Sequence, residues 1–294
     1  MKTSLGQKTF DCVNILLMIL LMFVMAYPLW HVIMASMSSD KQLMGHVGFI
    51  LKPLGINFNA YKLMMKDPMI IKGYANTIYL VIVGTSLNLL FTTITAYFFS
   101  RKNVYWSKYL MMLIVFTMYF SGGLIPSYIM IAQVYHLKGS YLALFLPGLI
   151  NTYNLIIMKT SLEAIPESLV EAARIDGAGH WRVLLSIVVP VSKATIAVMT
   201  LYYAVAHWNS WFTPSIYLSG NREKFPLQVV LREILISNDT TMMTQGSGAA
   251  GDQLGIAETV KYAVTVTATI PILIVYPFLQ KYFVKGVMIG SVKE

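Results

Sequence analysis

Six stretches of this chain are each long and apolar enough to cross a bilayer, running approximately over 13–37, 74–100, 109–132, 141–160, 194–218 and 260–283. A helix needs roughly 20 predominantly apolar residues to span the hydrocarbon core. Lipid offers the backbone no hydrogen bonds, so such a stretch must satisfy itself as a helix. The pattern predicts an all-α transmembrane domain. Charge agrees: only 12% of residues are charged, against about 25% in a soluble domain. Aromatic residues stand near many of the ends (Tyr74, Trp106, Tyr109, Tyr135, Tyr141, Trp211, Tyr217 among them), where amphipathic rings favour the interface.

The first stretch follows Lys2 and Lys8, as a secretion signal would. It is longer than the roughly 7–15 apolar residues of a signal, and it carries Pro28 and Trp30. It is expected to remain as an anchor helix. Basic residues divide almost evenly between the two sides of the membrane. Arg101, Lys102 and Lys108 crowd one very short loop, however, and Lys281 and Lys285 follow the last stretch directly. Positive charge beside span ends marks the cytoplasmic side, so both termini are expected inside.

Several chemistries are excluded. The net charge of +9 is scattered between apolar stretches, with no basic stripe of the kind a nucleic acid partner needs. No Gly-Lys pair exists to build a phosphate-binding loop. The five histidines are far apart and match no metal spacing,. The stretch from Gly246 to Gly251 fits a dinucleotide fingerprint only formally, with no strand before it. Carboxylates are missing from the spans apart from Asp11 near one edge, which disfavours an ion-coupled carrier, since those keep relays at membrane depth. No catalytic residue and no metal ligand is assigned.

The one strongly polar, sharply turned segment between apolar stretches is Glu171 to Pro190, EAARIDGAGHWRVLLSIVVP. Pro166 sits where a helix begins. Glu167 and Glu171 suit the positive end of its dipole, and Glu171 is spaced to pair with Arg174. Ala172 and Ala173 keep a face low. Asp176-Gly177 ends the helix, glycine supplying the left-handed conformation. Trp181, Leu184, Leu185 and Val188 recur at helical spacing, predicting a second helix that packs back on the membrane domain until Pro190 stops it.

These residues resemble the cytoplasmic signature of ABC-importer permeases: E-A-A, three residues, G, nine residues, then I-x-L-P. Here they are Glu171, Ala172, Ala173, Gly177, Ile187 and Pro190, with Val189 in the leucine position. Asp176 and Ala178 extend the match to the Asp-Gly-Ala form of sugar permeases. The sequence is most similar to carbohydrate-uptake permeases of the second-subunit kind. Phe120-Ser-Gly-Gly-Leu-Ile-Pro126 and Leu227-Gln-Val-Val-Leu-Arg-Glu-Ile-Leu235 resemble the polysaccharide and aldouronate permeases among them.

The resemblance implies a six-helix type I ABC importer permease of a bacterial plasma membrane, with a cytoplasmic coupling helix. Residues 1–71 would hold the first span and an extracytoplasmic loop. Residues 72–283 would form a five-helix core with the coupling segment at 163–190, and 284–294 a cytoplasmic tail. Implied partners are a second related permease, two cytoplasmic ATPase subunits and an extracellular or lipoprotein binding protein. ATP and Mg would belong to the ATPases, leaving this chain without a cofactor or catalytic activity. Glu171 and Asp176 would be the charged contacts, Ala172 and Ala173 the close-approach surface, and Gly177 the turn, with Ala178 completing the coupling segment.

Two spans carry unusual polar content. Tyr119, Gly122 and Gly123 occur where Pro126 follows, a combination that breaks a helix and is tolerated at membrane depth only in protein or against water. His207, Trp208, Asn209 and Trp211 combine rings with an amide, which suits the C–H faces and hydroxyls of sugars. Helix-to-helix packing explains the same residues, so they stand as candidates for the cavity wall. The loop lysines Lys41, Lys52, Lys62, Lys66 and Lys72 would steer acidic oligosaccharides, or contact lipid headgroups. A permease for a non-sugar solute and an ATPase-independent carrier remain the competing readings.

Overall fold

The computed structural model describes residues 5–102, 104–236 and 250–291. Gly246 and Gly248 of the fingerprint-like stretch lie outside the described residues. In chain order the helices are α1 (Leu5–Ser36), α2 (Asp40–Met44), α3 (Asn59–Lys66), α4 (Pro68–Phe99), α5 (Ser107–Tyr119), α6 (Leu124–Tyr128), α7 (Leu142–Phe145) and α8 (Thr152–Glu163). They continue with α9 (Glu167–Ile175), α10 (His180–Val183), α11 (Val189–Val191), α12 (Lys193–Trp208), α13 (Phe212–Tyr217), α14 (Leu227–Ile236) and α15 (Ala250–Ser291). Short π-helical runs, Ile129–Val134 and Leu184–Val188, extend α6 and α10.

By length and composition, α1, α4 and Ile256–Val275 within α15 can each cross a membrane unbroken. Three further pairs do so only as bent units: 113° between Ser107–Tyr119 and Leu124–Val134, 51° between Leu142–Gly148 and Thr152–Glu163, and 85° between His180–Val191 and Lys193–Trp208. Counting each bent pair as one span gives six.

The chain divides into two compact units, residues 1–70 with 231–270 and residues 71–230 with 271–294. In the first unit α1 exposes nearly all of its apolar side chains, from Phe10 to Met25. That surface is stable in lipid and not in water. The loop after α1 folds back and is clipped to its end. Tyr27 Oη accepts from the Ile50 N–H at 3.1 Å, and Trp30 Nε1 donates to the Leu51 carbonyl at 3.0 Å. Ser38 Oγ donates to the Met34 carbonyl and accepts from the Leu54 N–H. Asp67 then starts α4: its carboxylate accepts from the Met69 N–H at 2.7 Å, with Pro68 at the first position, where no N–H is needed,.

In the second unit the core joins α4, α8, α9, α10 and α12 through Ala96, Leu155, Met158, Leu162, Val170, Val183, Leu184, Val188 and Met199. Polar pairs stitch the same helices, with Thr92 Oγ1 and Tyr203 Oη 2.7 Å apart and Ser161 Oγ and Thr195 Oγ1 2.6 Å apart. At the start of α4, Asn76 donates to the Glu223 and Phe225 carbonyls and accepts from Tyr141 Oη. Thr77 Oγ1 accepts from the Leu227 N–H.

Two sequence expectations change. The stretch expected as one span over 194–218 stops at Trp208, turns through Asn209 to Trp211 and resumes as α13. The face expected on Trp181, Leu184, Leu185 and Val188 is split: Leu184 and Val188 are buried with Val183, whereas Trp181 and Leu185 are exposed. Pro190 has no N–H to bond the carbonyl four residues back. The turn before it is π-helical, so the 3.6-residue phase fails there.

Candidate functional site

The signature segment forms an elbow. Pro166 stands as the N-cap of α9, one place earlier than the first helical position, and Val170 is the helix's buried anchor. Ser168, Glu171, Ala172 and Ile175 all lie exposed at spacings of three and four, which places them on one face. Ile175 is 86% exposed. Trp181 is a second large apolar side chain held out a few residues on, at 63% exposure.

The helix closes on itself through a paired turn. The Gly177 N–H donates to the Arg174 carbonyl at 3.0 Å and the Ala178 N–H to the Ala173 carbonyl at 2.9 Å. This is the 6→1 and 5→2 pattern of the Schellman motif. It requires a left-handed residue at the turn, and Gly177 has φ +78°. The constraint is purely conformational, since a Cβ there would meet nothing within 4 Å.

Of the six residues assigned to this site, Glu171, Ala172, Asp176 and Gly177 are exposed together. Ala173 and Ala178 are partly buried and pack on the core cluster, so they seat the elbow on the bundle. Among the described residues Glu171 makes no ion pair with Arg174. Glu167 is the paired carboxylate instead, 2.6 Å from Lys102 Nζ. Its partner's ammonium holds the Glu167 carboxyl below the usual range, and the carboxylate in turn raises Lys102. Arg101 lies 4.9 Å over the Tyr97 ring, which also meets His180 edge-on. Lys102, Arg101, Tyr97 and Ile175 are the residues that sequence reasoning passed over. Two signals were available: the clustering of Arg101 and Lys102 in a short loop, and the helical spacing that puts Ile175 on the face of Glu171 and Ala172.

The candidate path residues are not gathered into one wall. Tyr119 ends α5 at 76% exposure, and Gly122 and Gly123 are exposed in the break that follows. Gly123 has φ +85° there. His207 belongs to a helix contact: its Nε2 is 2.7 Å from Asn88 Oδ1. Asn88 Nδ2 donates to the Gly148 and Leu149 carbonyls, so Oδ1 must accept and His207 Nε2 carries the proton. Gly84 makes room for that ring. Trp208 lies edge-on to Tyr74, and its Nε1 is buried with no hydrogen-bond partner among the described residues. Asn209 is exposed and caps α12, and Trp211 packs edge-on against Phe212. Packing accounts for His207. Asn209, Trp211, Tyr119 and the two glycines keep open surface.

Residues 88–289 match the family described as the inner membrane component of binding-protein-dependent transport systems. The chain belongs to that family. Its members are integral membrane permease subunits, which agrees with the apolar helices and with the E-A-A to proline signature. Over 98% of its length the chain is 37% identical to 99% of the polygalacturonan/rhamnogalacturonan transport system permease protein YtcP of Bacillus subtilis. It is 38% identical to protein LplC of the same organism over its full length and 98% of that protein. Among solved structures, it resembles a chain of a bacterial ABC transporter involved in import of the acidic polysaccharide alginate. The TM-score is 0.86 at 28% identity, covering 96% of this chain and 99% of that one.

Proposed function

We propose that this chain is one of two permease halves of an ATP-driven importer that carries acidic, uronate-bearing oligosaccharides inward. The observation that carries the substrate class is its likeness along nearly the whole chain both to a permease named for polygalacturonan and rhamnogalacturonan and to one from an alginate importer. Both name polymers of acidic sugars. The exposed face of Glu171, Ala172 and Ile175, with Asp176 and Gly177 at its end, is the surface on which a cytoplasmic ATPase would act. ATP and Mg would be bound there by the ATPase and not by this chain. The elbow then lies in the cytoplasm, and both termini with it. Of the loop lysines, Lys72 is neutralised by Glu223 at 2.9 Å. Steering of an anionic solute would fall to Lys52, Lys62 and Lys66.

Uptake by proteoliposomes containing the chain, its partner permease and the ATPases, supplied with the binding protein, tests the reading. Accumulation of oligogalacturonates that requires ATP, with no accumulation of neutral maltodextrins, is the expected result. Uptake of neutral sugars alone would overturn the substrate class. Uptake without the ATPase subunits would overturn the coupling role.

A further inference from the structure

A cavity of about 590 Å³ opens between the end of α4, the loop after it, the start of α5 and α8. Arg101, Lys102, Lys108 and Lys159 line it. Against these four cations stand Glu163, which pairs with Lys159 at 2.7 Å, and Glu167, which pairs with Lys102. The cavity is therefore net positive even after its own ion pairs are counted. Lys108, Met111, Met112 and Val115 also line it, and their spacing places them on one face of α5. One cation thus sits above an apolar strip about 6 Å long, taking 1.5 Å of rise per residue.

The start of α5 adds to the same field. Trp106 precedes it with φ 65° and no side-chain cap, and no acidic residue occupies its first turn. A helix beginning this way leaves N–H groups and the positive end of its dipole available to an anion. Tyr105 and Trp106 are 90% and 68% exposed beside it, as rings are at the headgroup level of a bilayer.

We propose that this cavity holds the phosphate headgroup of an anionic phospholipid, with an acyl chain lying along Met111, Met112 and Val115. A free phosphate or other soluble anion would satisfy the cations but would leave the apolar strip uncovered. An amphiphile matches both. Basic pockets between transmembrane helices take such headgroups. Because Lys102 also touches Glu167 at the start of α9, an occupied cavity would bear directly on the loop that supports the elbow.

The test is lipid binding to the assembled transporter, followed by native mass spectrometry with phosphatidylglycerol and with phosphatidylcholine. Lys108→Glu is expected to weaken phosphatidylglycerol binding at least fivefold, each basic residue near a membrane surface contributing about that factor. Met112→Trp, which fills the apolar strip and leaves the charges, should weaken it as well. Lys138→Glu, placed elsewhere, should not. ATPase activity and elution of the complex verify that each variant assembles. In the unmodified complex, raised salt should release phosphatidylglycerol, and glycerol phosphate should compete poorly. Phosphatidylcholine binding equally well, glycerol phosphate competing as well as the lipid, or a lipid count unchanged by salt and by both cavity variants would each overturn the proposal.

Discussion

Lys102 Nζ lies 2.6 Å from Glu167 Oε2, joining the turn after α4 to the start of α9 across 65 residues of sequence. Both side chains are well exposed, so the contact is open to salt and pH. Glu167 is depressed, so its contribution is fully present above the ordinary carboxylate pKa and is lost as pH falls through the lowered value,. Lys102 is raised, so its contribution is present below the ordinary lysine pKa and is lost as pH rises through the raised one,. The tether is thus intact around neutrality. Protection of the α9 amides, taken as exchange relative to the intrinsic rate at each pH, should fall in acid, at high salt and in Lys102→Gln. Protection that ignores all three would show that the pair restrains nothing.

Gly177 gives a prediction that separates space from conformation. A side chain fits there, since no atom lies within 4 Å of a built Cβ, but φ is +78°. A β-branched residue in the left-handed region costs at least about 1–2 kcal/mol, whereas asparagine visits it readily. Gly177→Asn should transport nearly as well as the parent, and Gly177→Val should be inserted and yet poorly coupled. Measured uptake normalised to membrane-inserted protein distinguishes the two. Equal loss in both variants would point to a steric contact made by a partner at this residue, not to the turn.

How far the elbow could be read from sequence depends on which interactions are local. The Schellman turn at Gly177 is local, and the Asp-Gly pair announced it. The outward face of Glu171, Ala172 and Ile175 follows from helical spacing alone. Trp181 and Leu185 were misplaced because Pro190 forces a π-helical turn at Leu184–Val188, which rotates the buried face away from the one that 3.6 residues per turn predicts. The Glu171–Arg174 pair failed for a different reason: Lys102 approaches Glu167 from another helix end, and no spacing rule anticipates it. His207 was ambiguous for the same cause, since its partner Asn88 is 119 residues away. Six spans were legible by length. Their three sharp bends have glycine or proline beside them, at Gly122-Gly123, Pro147-Gly148 and Pro190, whereas the break after α12 is unannounced.

Gly84 and His207 should behave as a coupled pair. A Cβ on Gly84 would lie 2.5 Å from His207 Nε2, and the ring cannot retreat without giving up its bond to Asn88. Gly84→Ala alone should destabilise by about 1–3 kcal/mol, the usual cost of overpacking. In a His207→Ala background the same change should cost far less. His207→Ala alone leaves the Asn88 carbonyl oxygen buried without its donor, at about 1–3 kcal/mol. Unfolding in detergent across the four proteins measures the interaction term. Additive losses would mean that the two helices separate freely at this contact.

Ile175 tests whether the exposed face of α9 belongs to a partner. At 86% exposure its side chain adds almost nothing to the fold of this subunit, and surface changes of that kind usually lie within about 0.5 kcal/mol. Ile175→Ala should therefore leave detergent unfolding of the isolated subunit unchanged. If the side chain is buried on assembly, removing three carbons at about 0.8 kcal/mol each weakens the ATPase complex by about 2 kcal/mol. That is close to thirtyfold in dissociation constant. Val170→Ala should show the reverse, because Val170 is 2% exposed and anchors the helix inward: the subunit loses stability, and affinity falls only as far as the elbow loosens. Titrating the purified ATPase against both variants reads the difference. An Ile175→Ala subunit that binds as tightly as the parent would assign this face to water, and the partner surface would then have to be sought at Trp181.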